Sequence, residues 1–378
     1  MTNSDSKEVI IIGGGLAGLC SAIHLSGAGV SVILIEKNEY PRHKVCGEYV
    51  SNETLPYLAS LGVDPFELGA VQIEELDFVA PDGSSIRTDL PLGGFGLSRY
   101  SLDHALMKKA VSNGARIIVD QVDRIEFERD RFSVTTRNGV VFHADFVIGA
   151  YGKRSLLDRR LDREFIKKKS SYVAVKAHFR GEFQENLVGL YNFEGGYCGV
   201  SNVENQMLNV CYIADSRVFR RFKNIERFQK EVVFKNEKLE KIFSNVKISF
   251  EKPLSISQIS FDNKELVVDH VLMCGDSAGL IHPLCGNGMG MAIGAAQLVS
   301  EAILSYFNGQ LKSREEVEKK YMHDWNQNFR TRLRAGHALA ALLKHYKVTY
   351  FLLPFLRNFP SVLHRMIRLT HGKPTPAI

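Results

Sequence analysis

The stretch EVIIIGGGLAG, residues 8–18, decides the fold of the first part of this 378-residue chain. Its first five residues, three of them consecutive isoleucines, predict a short strand that is buried on both faces. The glycines that follow have the spacing G-x-G-x-x-G, with Gly13, Gly15 and Gly18 at the three marked positions. In that pattern the first glycine permits a tight turn, the second lets a phosphate approach the backbone, and the third lets helix and strand pack closely.

A second strand and an acidic residue complete the pattern. Apolar residues recur at helical spacing from Leu19 to Leu25, and the β-branched run Val30–Ile35 ends at Glu36, 18 residues after the last glycine of the motif. The helix N-terminus offers free N–H groups and a positive dipole to a pyrophosphate, and Glu36 can accept hydrogen bonds from ribose hydroxyls. The ordered set predicts a dinucleotide site, although the motif alone does not separate NAD from FAD.

A second glycine cluster follows a strand-like run late in the chain. Residues 266–273, LVVDHVLM, predict a strand that leads into Gly275-Asp276. Three further glycines within 286–290 precede a helix predicted from about Met289 to Phe307. This cluster, together with the N-terminal position of the first motif, favours FAD over NAD as the bound dinucleotide.

The same cluster also contains the pattern of a hydrolase. Residues 275–279 read G-x-S-x-G, as in the nucleophile elbow of α/β-hydrolases. Asp324 and His337 follow Ser277 in the chain order that a catalytic triad of that fold requires. However, Pro283 interrupts the helix that should start directly after the serine, and the sequence has no H-G-G-G segment upstream. A serine hydrolase is therefore a remote alternative, and it leaves the N-terminal motif unexplained.

Composition and charge indicate a globular, cytoplasmic protein with a basic tail. Hydrophobic residues make up 45% and charged residues 24% of the chain, which excludes a disordered or collagen-like chain. From Lys312 onward 13 Lys and Arg stand against 4 Asp and Glu, a balance of +9 within a total of +6. The six cysteines have no C-x-x-C spacing and the chain opens without a signal-peptide pattern, so we expect a reducing cytoplasm.

Two uncharged runs, Val9–Ile35 and Ser277–Ser300, each exceed the roughly 20 residues that a membrane span needs. Their glycines, and a proline in the second run, favour buried strand–turn–helix units instead. For the basic, largely helical tail we expect packing over the substrate cavity, with its charges on a solvated face. The alternative is contact with a membrane surface or an acidic carrier protein, so that the protein would be cytoplasmic with or without membrane association. We expect no nucleic acid as partner.

Four separated motifs resemble those of the flavoprotein superfamily that contains the para-hydroxybenzoate-hydroxylase-fold monooxygenases and the geranylgeranyl reductases. The first is the N-terminal fingerprint with Glu36. The second, PRHKVCGE at 41–48, looks like the segment with arginine and Cys-Gly-Glu of the reductase-type members. The third is RYSLD at 99–103, and the fourth is Gly275-Asp276 with the loop 283–290. The resemblance extends from about residue 7 to residue 307.

The resemblance implies an α/β fold, α+β overall. It consists of a Rossmann-like FAD-binding domain, an inserted antiparallel β-sheet substrate domain, and C-terminal helices. We expect the FAD-binding domain at 1–72, 99–166 and 262–310, the substrate domain at 73–98 and 167–261, and the helical region at 311–378. A single helix, from about Val218 to Phe243, is expected to interrupt the strands of the substrate domain.

The resemblance also implies the site residues. Asp276 would bind the ribityl chain of the flavin, and Cys46 would lie near the flavin ring, where it is the candidate catalytic residue, as part of the substrate pocket or as a proton donor. The cofactor-binding candidates are Gly13, Gly15, Leu16, Ala17, Gly18, Glu36, Lys37, Arg42, Cys46, Gly47, Arg99, Val122, Gly275, Asp276, Gly286, Asn287, Gly288 and Met289. The sequence shows no metal-ligand spacing, so we expect no metal.

The reaction has two alternatives. The first expectation is a monooxygenase that hydroxylates or epoxidises a small or lipophilic organic substrate through a flavin hydroperoxide, and the alternative is an ene-reductase or dehydrogenase like the geranylgeranyl reductases. Tyr151 replaces the acid of the A-D-G-x-x-S segment of the hydroxylases, so we expect weak use of NAD(P)H as electron donor. Gly279 stands where hydroxylases often carry His, which is closer to the reductase pattern. The W-x-W-x-I-P segment of tryptophan halogenases is absent.

Overall fold

The computed structural model describes residues 7–168, 172–222, 224–343 and 355–378, and three β-sheets organise them. In chain order the strands are β1 (Glu8–Ile12), β2 (Ser31–Glu36), β3 (Tyr49–Ser51), β4 (Val71–Val79), β5 (Ser85–Gly96), β6 (Arg116–Val119), β7 (Val122–Glu128), β8 (Arg131–Thr136), β9 (Val141–Ala144), β10 (Phe146–Gly149), β11 (Tyr172–Arg180), β12 (Leu187–Phe193), β13 (Gly196–Val203), β14 (Met207–Asp215), β15 (Lys247–Ile248), β16 (Leu254–Ile259), β17 (Val267–Val268) and β18 (Val271–Met273). The α-helices are α1 (Leu16–Gly27), α2 (Leu55–Ser60), α3 (Arg99–Ser112), α4 (Leu156–Arg160), α5 (Ser216–Phe219), α6 (Ile225–Glu231), α7 (Glu237–Ser244), α8 (Gly288–Phe307), α9 (Arg314–Leu343) and α10 (Pro360–Thr370).

The six-stranded sheet contains the unit predicted from residues 8–36. Its order is β17-β18-β10-β1-β2-β6, and β1 pairs in parallel with β2 on one side and β10 on the other. The strand β1 is buried from Val9 to Ile12, as expected for a strand that is covered on both faces. The helix α1 connects β1 to β2 and packs against α3 and α8. The Rossmann-like part of the predicted fold is therefore confirmed.

The nine-stranded sheet is the larger one, and most of its pairings are antiparallel. Its order is β15-β11-β14-β13-β12-β4-β5-β3, with β16 also paired to β11. It contains the inserted antiparallel sheet of the predicted fold, which is confirmed. It also includes β3, which lies in the segment 1–72 that we assigned to the FAD-binding domain. The domain boundaries themselves stay a prediction. The third sheet, β7-β8-β9, is a small antiparallel meander.

The single helix expected from Val218 to Phe243 is wrong. The structure has three short helices there, α5, α6 and α7. Asn224 accepts hydrogen bonds from the N–H groups of residues 226 and 227, and Asn236 does the same for residues 238 and 239. Each asparagine is an N-cap that begins a new helix, and it holds its own backbone in an extended conformation that a continuous helix excludes.

The strand expected over residues 266–273 is also wrong in its middle. The strands β17 and β18 pair antiparallel, and the chain turns sharply between them at Asp269 and His270. Both residues have left-handed backbone angles, with φ of 47° and 64°. Two consecutive residues with positive φ form the kind of two-residue hairpin turn that matches the twist of the flanking strands. Periodicity alone does not show this turn.

The helix α8 has the length and apolar composition of a membrane span, but 67% of its apolar window is buried inside the protein. It packs between α1 and α9, and buried residues occur on all of its turns up to Ile303. A helix that is apolar all round and buried is expected in the core of a protein of this size. Of the predicted C-terminal helices, α9 and α10 are present, while most of the apolar stretch 348–356 lies outside the described residues.

Candidate active site

The two glycine motifs and the segment 41–48 meet at one cavity of about 1080 Å³. The cavity begins at the carboxyl ends of β1, β2, β10 and β18, the edge where open α/β sheets bind their ligands. It continues along the nine-stranded sheet to the inner face of α10. Every predicted cofactor-binding residue lines this cavity except Gly18 and Asn287. Gly18 packs beneath the glycine turn, and Asn287 is fully buried, where its side chain donates to the carbonyl oxygen of Thr370.

The glycine turn has the shape that a pyrophosphate needs. Gly13 has a φ of 105°, and a Cβ atom there would lie 2.4 Å from the carbonyl oxygen of Ala150. A Cβ atom at Gly18 would lie 2.0 Å from the carbonyl oxygen of Gly13. Gly15 precedes the first residue of α1, and no side chain caps this helix N-terminus. The N–H groups of the first turn therefore face the cavity without a side-chain acceptor, so the residues present fit a dinucleotide phosphate.

Glu36 is a buried, ionised acceptor at the end of β2. One carboxylate oxygen accepts from the N–H of Gly14 at 2.8 Å, and the other accepts from the N–H of Asn38 at 3.1 Å and from Arg42 at 3.0 Å. Burial by itself would raise the pKa of Glu36, but the Gly14 hydrogen bond and the charges of Lys44 and Arg42 outweigh it and lower that pKa. The position and charge are those of the acid that binds ribose in this motif.

A second charged cluster, which the sequence analysis missed in part, lies beside the glycine turn. Arg99 forms two parallel hydrogen bonds with Asp103, at 2.7 and 2.8 Å. Lys44 reaches the same carboxylate at 2.7 Å and the carbonyl oxygen of Gly14 at 3.1 Å, and Tyr40 donates to that carbonyl at 2.6 Å. Burial raises the pKa of Asp103, yet the two cations reverse this effect and lower it. The sequence analysis included Lys44 in the segment 41–48 but assigned it no role, because its position in the sequence does not predict a contact with Asp103.

The loop that carries Cys46 connects the nucleotide side of the cavity to the nine-stranded sheet. The half-buried Cys46 lines the cavity, and its sulfur lies 3.5 Å from the sulfur of Met289 at the start of α8. From the opposite side, the amide of Asn209 in β14 donates to the carbonyl oxygens of Gly47, at 2.8 Å, and of Cys46, at 3.4 Å. These contacts fix the thiol at the junction between the nucleotide motifs and the sheet.

Glu48 holds the same loop against the nine-stranded sheet. It is fully buried and has a left-handed backbone, with a φ of 53°. One carboxylate oxygen accepts from Lys176 at 2.6 Å and from the N–H of Arg99 at 2.8 Å, and the other lies 2.6 Å from His178 Nε2. Burial raises the pKa of Glu48, but His178 and Lys176 outweigh it and lower that pKa. The sequence analysis quoted Glu48 within a motif without assigning it a role, because its partners lie far along the chain.

His43 lies next to Glu48 and His178, and the three side chains carry atoms that could bind a metal ion. The ligand atoms of His43, Glu48 and His178 all lie within 4.8 Å of one another. His43 also stacks on Tyr100, with ring centroids 4.8 Å apart. The ammonium group of Lys176 already holds one oxygen of the only carboxylate in this cluster. A buried cation at that distance disfavours a second one, so the arrangement is that of an ion-pair network.

The sheet side of the cavity is mostly apolar, although serines and a glutamine of β13 and β16 also line it. Its lining comes from the nine-stranded sheet, from the loop that follows Asp276, and from the C-terminal helices: Leu76, Phe78, Val188, Leu190, Tyr197, Leu280, Leu284, Leu339, Leu356, Leu363, Met366 and Ile367. Cys211 and Cys285 line it as well, and burial raises the pKa of each thiol to about 12, so both remain neutral. The helix α10 is fastened to β5 by a hydrogen bond of 2.8 Å between Thr88 and His364.

Tyr151 lines the cavity at the position where hydroxylases carry an acid. Its hydroxyl donates to the sulfur of Met273 at 3.2 Å, and burial raises its pKa, so it carries no charge there. The nearby Lys264 was missed by the sequence analysis. It donates to the carbonyl oxygens of Asp276, at 2.6 Å, and of Lys153, at 3.1 Å, and burial lowers its pKa to about 8. Lys264 therefore holds the backbone of the Asp276 turn from behind.

Ser277 is engaged in backbone contacts and does not support the hydrolase alternative. It is fully buried, and its hydroxyl accepts from the N–H of Gly152 at 2.9 Å and donates to the carbonyl of the same residue at 3.2 Å. The carboxylate of Asp324 lies 2.7 Å from Lys320 on the same helix. The serine thus fastens two loops together at the edge of the sheet.

The comparisons with known proteins agree with this geometry. A family model described as FAD binding domain matches residues 6–324. Conditioned medium factor receptor 1 of Dictyostelium discoideum is 25% identical over 94% of this chain and 72% of that protein. Digeranylgeranylglycerophospholipid reductase of Methanosarcina mazei is 24% identical over 85% of this chain and 81% of that protein. Among solved structures, the flavin-dependent brominase Bmp2 is 19% identical with a TM-score of 0.81, over 97% of this chain and 94% of that one.

The likeness to the brominase is too low in identity to show more than the fold. The family model, in contrast, covers most of the chain and includes both glycine motifs and the segment 41–48. The site described above has an uncapped helix N-terminus for the pyrophosphate and an ionised acid for the ribose. The chain therefore belongs to the FAD binding domain family and is an FAD-dependent oxidoreductase of the superfamily of para-hydroxybenzoate-hydroxylase-fold monooxygenases and geranylgeranyl reductases.

Proposed function

We propose that this flavoprotein reduces carbon–carbon double bonds in a lipophilic, isoprenoid-like substrate. The observation that carries the proposal is the apolar sheet side of the cavity, which adjoins the flavin site and is covered by α10. At about 1080 Å³ the cavity exceeds the range of roughly 300–1,000 Å³ of an ordinary ligand pocket, as expected when two ligands share it. The similarity to a digeranylgeranylglycerophospholipid reductase supports the same substrate class.

FAD, when bound, supplies the hydride, and the chain supplies binding, orientation and the proton. The first turn of α1 would bind the pyrophosphate, and Glu36 would accept from the ribose. Cys46 stands at the junction between the two parts of the cavity, and we infer that its thiol delivers the proton to the second carbon of the double bond. Asn209 and Glu48 hold the loop of Cys46 in place. The apolar part of the lining offers contacts to a hydrocarbon chain.

That the protein is a monooxygenase stays a prediction. Fewer observations support a monooxygenase than support a reductase. The apolar sheet side suits a hydrocarbon chain, and Tyr151 gives the site an uncharged hydroxyl where hydroxylases have an acid. The fold shared with a brominase does not bear on the reaction, since identity there is only 19%. The electron donor is part of the proposal: we expect NAD(P)H to serve poorly and a reduced carrier to serve better.

The proposal is tested with the purified holoprotein. Under anaerobic conditions the flavin is reduced with dithionite, a geranylgeranyl lipid is added, and flavin reoxidation and product mass are followed. We expect substrate-dependent reoxidation and a product that has gained two hydrogen atoms per reduced double bond. In a parallel reaction in air, a product that gains an oxygen atom would establish the oxygenase instead. Absence of both products with the geranylgeranyl lipid would overturn the proposed substrate class.

The role of Cys46 has its own test. If the thiol delivers the proton, Cys46→Ala lowers the rate of lipid reduction by about 100-fold or more, on the scale of general acid catalysis. Cys211→Ala is the matched control, because Cys211 is another thiol of the same cavity but belongs to the sheet. We expect the control to change the rate little. Equal rates for the two variants would remove Cys46 from the mechanism and leave the reductase proposal standing.

A further inference from the structure

The outer surface of the C-terminal segment carries a row of exposed apolar side chains. Phe355 and Phe359 are 48% and 51% exposed, and their rings pack against each other with centroids 4.9 Å apart. Val362 and Leu369, seven residues apart on α10, are 37% and 47% exposed. Exposed apolar residues that are scattered singly need no explanation, but here four large ones lie within fifteen consecutive residues, and two of them are in contact. We call these four residues the apolar row.

Positive charge surrounds the apolar row. The last acidic residue of the chain is Asp324, and the 54 residues after it contain nine Lys and Arg and no Asp or Glu. Among them, Arg357, Arg365 and Arg368 are exposed on the same segment as the apolar row, and Arg365 lies between Val362 and Leu369 along α10. The segment therefore combines aromatic and aliphatic side chains with arginines and contributes no acidic residue of its own.

The opposite face of α10 belongs to the cavity. Leu363, Met366 and Ile367 line the apolar side of the cavity, while Arg365 and Arg368 point to solvent. One helix, about 10 Å thick, therefore separates the apolar cavity from the apolar row. The inner face of α10 is therefore apolar, and the outer face mixes Val362 and Leu369 with two arginines.

We propose that the apolar row and its arginines dock on a bilayer that contains anionic phospholipids. Helices that lie in the interface place aromatic and aliphatic side chains at the acyl boundary and basic side chains at the headgroups, which is the combination found here. Docking would place the cavity one helix away from the membrane. The inference goes beyond the proposed reaction and does not depend on it, because it rests on the surface alone.

Vesicle binding of the purified holoprotein tests this inference without any substrate. We expect sedimentation with vesicles of phosphatidylcholine mixed with phosphatidylglycerol, and binding at least tenfold weaker to phosphatidylcholine alone or in high salt, since both remove or screen the anionic charge. The double substitutions Phe355→Ser/Phe359→Ser and Arg365→Gln/Arg368→Gln should each reduce binding about tenfold or more.

The matched control is Val140→Ser/Val141→Ser, which removes two exposed valines at the turn between β8 and β9 and should leave vesicle binding unchanged. Flavin absorbance and the far-ultraviolet spectrum show whether each variant is folded. Vesicle binding that survives both double substitutions, or no binding to the anionic vesicles, would overturn the inference. Binding of the protein to an acidic carrier protein, with no affinity for vesicles, would overturn it too and assign the arginines to that partner.

Discussion

At the scale of single residues, Glu48 links the nucleotide side of the cavity to the nine-stranded sheet. Its carboxylate is completely buried and is shared by Lys176 and His178 of β11 and by the backbone of Arg99 at the start of α3. A buried charge is stable only when its partners remain in place. The loop of Cys46 is thus held by an ion-pair network whose members come from three distant parts of the chain.

Removing that charge should destabilise the fold. In Glu48→Gln the ammonium group of Lys176 stays buried without its carboxylate, so the free energy of unfolding should fall by about 3 kcal/mol. Urea unfolding monitored by circular dichroism measures this value. The control is Glu75→Gln, whose pair with Arg87 is partly exposed and should contribute less than about 1 kcal/mol. An unchanged unfolding midpoint for Glu48→Gln would show that the network does not hold the loop.

Glu36 gives a second prediction at this scale, and it concerns the cofactor. Glu36→Ala removes an ionised acceptor from the ribose end of the site, so FAD binding should weaken by about 1.5–3 kcal/mol, the value of a hydrogen bond to a charged group. Titration of the apoprotein with FAD, followed by flavin fluorescence, measures the change. Glu39→Ala alters an exposed glutamate three residues further along and should leave the affinity unchanged. If both variants bind FAD like the parent protein, Glu36 has no ribose contact.

At the scale of elements, the sequence predicts best where one local pattern decides the structure. Residues 8–36 predict strand, turn, helix and strand because each element is short and the glycines between them are required. The helix expected over 218–243 was wrong because its apolar residues suit a helix, while Asn224 and Asn236 begin new ones. The two asparagines could have been recognised in the sequence as candidate N-caps. The pairing of β3 with β5, and of Glu48 with β11, depends on distant segments and leaves no local signal.

The packing of α1 gives a prediction about pH. His24 lies buried in α1, 3.0 Å from the hydroxyl of Tyr57 in α2, and burial lowers its pKa from 6.5 to about 4. The folded state therefore binds this proton more weakly than the unfolded state, and stability that is present above pH 6.5 is lost as the pH falls toward 4. Between pH 7 and pH 5 this group alone should remove about 2 kcal/mol.

Because other groups titrate in the same pH range, the contribution of His24 is measured as a difference between the parent protein and a variant without this histidine. Urea unfolding of the parent protein and of His24→Gln at pH 7 and pH 5 should show a smaller loss of stability in the variant. His143→Gln, which changes an exposed histidine on β9, should behave like the parent protein. If His24→Gln loses as much stability on acidification as the parent protein does, the histidine is not the group that burial keeps neutral.

At the scale of the whole molecule, one cavity connects two sheets of different origin in the chain. The flavin motifs come from the carboxyl edge of the six-stranded sheet, and the apolar lining comes from the nine-stranded sheet and from α10. The C-terminus is tied back to this assembly, since Arg332 and the N–H of Gly372 both bind the buried carboxylate of Glu53. The sequence predicted the flavin motifs and the packing of the C-terminal tail over the substrate cavity, and Leu363, Met366 and Ile367 of α10 line that cavity. The residues of α10 that face the cavity were not predicted, because no local pattern registers a helix against a distant sheet.

This architecture leads to the last prediction, which concerns the electron donor. The chain has one G-x-G-x-x-G fingerprint, at Gly13, Gly15 and Gly18, and FAD uses it. A nicotinamide nucleotide must then bind transiently beside the flavin, where Tyr151 is uncharged and bound to Met273. We expect flavin reduction by NADH or NADPH to be slow without substrate and to rise with nucleotide concentration without saturation. Anaerobic stopped-flow absorbance measures this rate, and dithionite in the same apparatus serves as the control that the flavin can be reduced. Fast, saturable reduction by either nucleotide would show instead that the chain holds a nicotinamide site that Tyr151 does not impair.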